Sequence, residues 1–165
     1  VFFSRARADI TTMNALLPAA ERRAHEQGER EPAAEHLLLA ALDLPDGGAR
    51  RAFADVGVDP DGLAGAVAAV HADALSSVGV VVDAASLESA LPDASPPRGA
   101  YRSSPGAQQL FQRATAMSKA RKQPLTSADV LLAATELEQG ALPRAFDRLG
   151  VTREQLAAAA RDALR

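Results

Sequence analysis

Phe53-Ala54-Asp55-Val56-Gly57-Val58 and Phe146-Asp147-Arg148-Leu149-Gly150-Val151 share one grammar, 93 residues apart. In each, an aromatic at an inward position is followed by glycine and then valine. Glycine takes up the left-handed conformation that closes a helix, and the apolar residue after it makes the contact that accompanies such a cap. Outward from this word, the same offset lays Leu38-Leu39-Ala40-Ala41 over Leu131-Leu132-Ala133-Ala134 without a gap. It also lays Leu17, Leu44, Gly47, Arg51, Ala52 and Leu63 over Leu110, Leu137, Gly140, Arg144, Ala145 and Leu156. The matched residues are core and cap types and include no obvious catalytic group. Two copies of a unit this size predict a pseudo-twofold globular domain rather than an open solenoid.

Each copy reads as four helices. In the first, Met13, Leu16, Leu17, Ala20 and Ala24 recur at helical spacing, and Pro18 predicts that the regular helix starts near there or is kinked. The second helix, about residues 33–42, is apolar nearly all round and is expected at the centre. The third points Ala49, Ala52, Phe53 and Val56 inward. Asp59-Pro60 then reads as a cap and first-turn proline for the fourth, which presents Leu63, Val67, Val70 and Ala74. The second copy repeats this with Ser104-Pro105 as cap and proline, a Thr126 to Asp129 capping box, and Thr152 capping the last helix. Between the copies, residues 78–82 suit a short extended segment, 84–91 a further helical turn or two, and 92–99 a loop.

Composition supports the all-α fold. The chain has 165 residues, of which 38 are alanine, with few aromatics. Alanine carries no helix penalty and lets helices approach closely. There is no cysteine, which excludes disulfides and thiolate metal sites. No apolar run approaches the roughly 20 residues of a membrane span, so a cytoplasmic protein is expected. The net charge of −3 hides a polarity: residues 94–128 carry six cations and no acid, which leaves −9 on the rest. That stretch is either a solvated helix face or a docking surface for an acidic partner. It contains one tyrosine and no aromatic interleaving, which argues against nucleic acid.

Catalytic and metal signatures are missing. No Gly-x-Ser-x-Gly elbow or Gly-x-x-x-x-Gly-Lys phosphate loop occurs. The three histidines have no metal-ligand spacing. His36, beside Glu35 at the start of a buried helix, reads as a structural imidazole bonded to nearby backbone. His25 and His71 read as isolated and exposed. No catalytic residue, metal or cofactor is assigned.

The Glu35-His36-Leu37-Leu38-Leu39 word, with Phe53, Gly57-Val58 and the second copy, resembles the Clp N-terminal domain, the duplicated helical front of ClpA/ClpC-class unfoldases. The resemblance covers about residues 10–164, and the alanine and arginine bias suits a ClpC-type module of an actinobacterium. It implies residues 1–9 as an N-terminal arm and residues 10–165 as one domain: repeat one 10–75, linker 76–103, repeat two 104–165. It also implies a non-catalytic module that recruits Clp adaptor or substrate proteins. In ClpC-type modules each repeat can hold phosphoarginine, using the glutamate of a Thr-Glu-His word and a threonine at the start of the first helix. Cyclic-peptide antibiotics bind near the starts of the two first helices.

Carried onto this chain, the match is partial. Glu35 keeps the glutamate, but Ala34 replaces the threonine before it. Ile10 falls at the helix-start threonine, with Thr11 and Thr12 adjoining. In the second copy Ala128 replaces the glutamate and Asp129 the histidine, while Ser104 can stand for the threonine, so two working sites are not expected. Ser103 replaces an aromatic, with Tyr101 close by, and Gln108 replaces a lysine. The resemblance thus places the binding groove between the repeats near Leu17, Glu35, Tyr101, Ser104 and Gln108. Phe2 and Phe3 either fold onto it or belong to an upstream segment. The departures favour a stand-alone protein, which either delivers clients to a Clp ATPase or acts as a decoy for its ligands or for peptide antibiotics. A small-molecule-binding helical bundle or enzyme is the alternative of another class.

Overall fold

The computed structural model describes residues 2–79 and 102–165, with side chains from Ser4 onward. It is all-α, with eight helices and no strand among the described residues. The first repeat contributes α1 (Phe2–Glu26), α2 (Ala34–Ala41), α3 (Gly48–Asp55) and α4 (Gly62–Ser77). The second contributes α5 (Pro105–Arg121), α6 (Ser127–Thr135), α7 (Ala141–Arg148) and α8 (Arg153–Ala163). The expectations for residues 80–99 lie outside the described residues.

The repeats interlock rather than stack. α2 and α6, in which every residue is buried, lie side by side at the centre. α3 of the first repeat packs on α8 of the second, and α4 packs on α7. Phe53 and Phe146, both fully buried, meet across the pseudo-twofold with ring centroids 6.4 Å apart and planes tilted by 55°, within the range of favourable tilted aromatic pairs. Both glycine caps form as the sequence implies. Gly57 has φ 73° and Gly150 φ 72°, and the Val58 and Val151 N–H groups reach back to the carbonyls of Phe53 and Phe146.

Three expectations change. α1 does not begin near Pro18 but runs through it from Phe2, so residues 2–9 form its first turns. Pro18 is exposed, as is Asn14 one turn earlier, so the carbonyl that loses its partner faces water. Side chains of α1 also grip the loop between α5 and α6: Asp9 accepts the Leu125 N–H at 2.8 Å, and the Thr12 hydroxyl donates to the Leu125 carbonyl at 3.2 Å. The repeat is also not gapless. The first helices superpose at an offset of 94, because the cap at Gly28 matches the left-handed Lys122 and because Leu16, Ala20 and Ala24 are buried like Leu110, Ala114 and Ser118. One extra residue in the loop after α1 restores the offset of 93 from Ala33 and Thr126 onward, so Leu16 rather than Leu17 is the partner of Leu110. Finally, Ala74 is exposed rather than inward.

The register explains His36. Its Nδ1 accepts the Ala33 N–H at 2.9 Å and its Nε2 lies 3.0 Å from Gln27 Oε1, so the neutral imidazole caps α2 and donates to Gln27. In the second repeat Asp129 accepts the Thr126 N–H at 3.0 Å and is held by Arg121 at 2.5 and 2.7 Å. Gln27 and Arg121 are equivalent at the offset of 94, and His36 and Asp129 at 93. A neutral pair and an ion pair therefore satisfy the same backbone donor.

Burial lowers the His36 pKa below its usual 6.5, against the opposing pull of Glu35 and Glu29. The unfolded chain takes up this proton first as pH falls. The stability from a neutral His36 is therefore complete above about pH 6.5 and is lost as pH falls through the lowered folded value. In urea denaturation, His36→Asp alone should cost about 3 kcal/mol, because a buried carboxylate gains no cation. That variant also removes the histidine component of the pH dependence, and adding Gln27→Arg should recover most of the lost stability. Equal loss in the single and double variants would show that the two pairs are not interchangeable.

Candidate functional site

The interlock creates two pseudo-equivalent corners, at the starts of α2 and α6, and only one is open. At the start of α6 the corner is filled. Asp46 accepts the Ser127 hydroxyl at 2.5 Å and the Gly48 N–H at 3.0 Å, and the Ser127 oxygen accepts the Ala49 N–H at 2.9 Å. This ties α3 onto α6 so closely that a methyl placed on Gly48 would stand 3.0 Å from the Ala128 Cβ. At the start of α2 the equivalents of Asp46, Ser127 and Gly48 are Gln139, Ala34 and Ala141. Ala34 has no hydroxyl to tie the turn down, and a cleft of about 780 Å³ opens there.

The cleft is formed by the starts of α2 and α5, the C-terminal half of α4, and the turn leading into α7. Glu35, with a side chain only 10% exposed, looks into it and lies 3.0 Å from His71 Nε2 on α4. Ser104 sits at its edge, its hydroxyl oxygen capping α5 by accepting the Ala107 N–H at 3.2 Å. Gln109, Glu136, Glu138, Gln139 and Arg144 add polar groups to a wall that also carries Val70, Leu137 and Leu142. Among the described residues His71 bonds to Glu35 alone, so no hydroxyl is hydrogen-bonded to the imidazole. No group of described His, Asp and Glu residues could hold a metal ion.

The structure thus brings together Glu35 and Ser104 of the residues named from sequence. Leu17 is half-buried against the core and is not part of the cleft wall. Gln108 is exposed, and its amide donates back to the Ser103 carbonyl at 2.8 Å. Tyr101 and the side chains of Phe2 and Phe3 lie outside the described residues. His71, read from sequence as isolated, is instead half-exposed and paired with Glu35. The only signal for it was its place beside Val70, at the margin of the inward face of α4. Gln109, Glu138 and Arg144 carried no signal, because their approach depends on how the second repeat closes on the first.

An all-α body of two interlocked repeats with a polar cleft at the seam defines a class, a duplicated helical module. The model of the Clp repeat (R) N-terminal domain matches residues 11–146, and the chain belongs to that family. Its fold is similar to the crystal structure of the N-terminal domain of the caseinolytic protease associated chaperone ClpD from Arabidopsis thaliana. That likeness has 20% identity and a TM-score of 0.58, covering 92% of this chain and 93% of that one. It is also similar to the Hsp104 N-terminal domain from Candida albicans, with 17% identity and a TM-score of 0.57 over 88% of this chain and 84% of that one. No curated protein sequence matches the chain. Among the described residues, no helix is long and apolar enough to cross a membrane.

The asymmetry of the corners has a measurable consequence. Ala128→Glu puts a carboxylate at the position equivalent to Glu35, against Gly48 and with no histidine to meet it. It should cost about 3 kcal/mol or more in urea denaturation, whereas Glu35→Ala should cost less than about 1 kcal/mol. Similar losses in the two variants would contradict a filled second corner.

Proposed function

We propose that this domain is a non-catalytic recruiting module, and that the cleft at Glu35 receives a segment of an adaptor or client protein, as at the front of a ClpC-type unfoldase in the cytoplasm. The observation that carries this reading is the unequal treatment of the two corners. One is tied shut by Asp46 and Ser127, while its counterpart keeps a nearly buried carboxylate facing an open, half-polar cleft. A carboxylate that needed only to stabilise its helix end would not require that opening.

Glu35 suits the guanidinium of an arginine side chain, which would displace His71 as its partner. For phosphoarginine, the phosphate would be met by the Ser104 hydroxyl and the Arg144 side chain. The filled corner at Ala128 supports one such site rather than two. Cyclic-peptide antibiotics are the second ligand class. For them the start of the first helix differs from the expected pattern, since α1 continues for two further turns beyond Ile10.

Calorimetry of the intact chain against free phosphoarginine, an arginine-phosphorylated peptide and a cyclic-peptide panel tests the proposal. Binding should occur at one site for each phosphoarginine ligand and weaken about 30-fold or more in Glu35→Ala, the usual scale for deleting one member of a desolvated charge pair. Arg144→Ala should weaken the phosphorylated peptide more than its unmodified form. Affinities unchanged by Glu35→Ala, or turnover of a ligand in the cleft, would overturn the reading.

A further inference from the structure

A second concavity lies away from the seam, where the C-terminal half of α5 meets α6 and the end of α8. It measures about 540 Å³. Its floor is apolar, formed by Met117, Leu132 and Leu164 with Ala116 and Ala120. Its rim is Arg113, Arg121, Arg161 and Arg165, and among the described residues no acidic side chain lines it.

The groove follows from two stripes on one helix. Ala107, Leu110, Ala114 and Ser118 of α5 face the core and are buried. Arg113, Ala116, Met117, Ala120 and Arg121 recur at helical spacing on an adjoining face that borders the concavity and that no other described helix covers. The first repeat provides an internal control. At the offset of 94, Met117 matches Arg23, which bonds Asp43, and Arg121 matches Gln27. At the offset of 93, Arg161 matches Ala68 and Arg165 matches Ala72. The first repeat completes the same fold without a methionine at the place of Met117 or an arginine at those of Arg161 and Arg165, so folding alone does not call for these three, whereas Arg121 serves the buried Asp129.

Two of the rim cations have different standing. Arg121 is pinned by the fully buried Asp129 and also has a buried Nε without a hydrogen-bond partner. Arg113 holds Glu136 through an exposed pair that solvent screens. Arg161 and Arg165 are exposed at the end of α8. Lys119 and Lys122 extend the positive field along α5, in the stretch of sequence that has no acid from residue 94 to 128.

The geometry points to this groove as a docking surface, separate from the cleft at Glu35, for an acidic amphipathic segment of a partner protein. Its apolar side chains would seat on Met117, Leu132 and Leu164, and its carboxylates would meet the arginine rim. The charge pattern selects an acidic partner, and the apolar floor selects a peptide with spaced bulky side chains over a uniform polyanion.

Fluorescence anisotropy of the intact chain tests this with labelled peptides of about 14 residues made of leucine, glutamate and alanine. One places leucines at i, i+3, i+4 and i+7, a second scrambles them, and a third is polyglutamate of equal charge. The patterned peptide should bind at least about tenfold more tightly than either control. Arg161→Glu with Arg165→Glu should weaken it at least about tenfold, with circular dichroism and melting unchanged because both side chains are exposed, and Met117→Ser should weaken it independently of charge. Glu35→Ala should leave it unchanged, which separates this site from the cleft. Equal binding of all three peptides, no effect of the charge reversal, or binding only to a duplex oligonucleotide or phosphatidylserine vesicles would overturn the proposal.

Discussion

Each repeat's third helix packs against the other repeat's fourth, and this exchange governs the rest of the molecule. A lone repeat would leave the inner faces of α3 and α4 without partners, and Phe53 without the ring of Phe146. The apolar area that offsets chain entropy is therefore shared between halves. The demand for alanine and glycine follows, since helices that interleave this closely have no room for larger side chains at their crossings. Gly48 against Ala128 is the tightest example.

Interlocking also turns a duplication into one site. Two identical halves would create two identical corners, and small changes at their rims decide which stays open. Asp46 and Ser127 tie one turn down, while Gln139 and Ala34 at the equivalent places cannot. The buried hydrogen bonds at the two central helix starts show the same freedom. Each needs an acceptor for the amide preceding the helix, and a Gln27–His36 pair serves as well as Arg121–Asp129. What is fixed is the satisfied backbone donor, since an unpaired one costs its full desolvation. The charge state is free to differ between the copies.

Much of this was legible because caps and core positions have local chemistry. Gly57-Val58, Gly150-Val151, Ser104-Pro105 and the Thr126–Asp129 box each announce a helix end within four residues. The register slip was hidden because Lys122 takes the left-handed conformation without being glycine, so the sequence displays no cap to set against Gly28. Pro18 misled in the opposite direction: a helix tolerates it where the abandoned carbonyl faces water, a property of the surface rather than of the local sequence. Glu35 and Ser104 were found through a family word. His71 comes from a helix 36 residues further on, and only the approach of α4 to α2 places it on Glu35.

Two copies in one chain separate the residues that folding requires from those it merely permits. Where packing rules, the copies agree: leucine with leucine, phenylalanine with phenylalanine, glycine with glycine at the caps of the third helices. Where they differ at buried positions, as at His36 and Asp129, a compensating partner differs with them. The corner at Glu35 and the groove on α5 break this pattern. Glu35 stands opposite Ala128, and Met117, Arg161 and Arg165 stand opposite Arg23, Ala68 and Ala72. Of these, Glu35 pairs with His71 on another helix and Arg23 with Asp43 in the turn after α2, while Arg165 meets only the neighbouring Asp162 in an exposed pair. At the two concave surfaces the copies differ in this way, and the proposed binding of other molecules there would account for it.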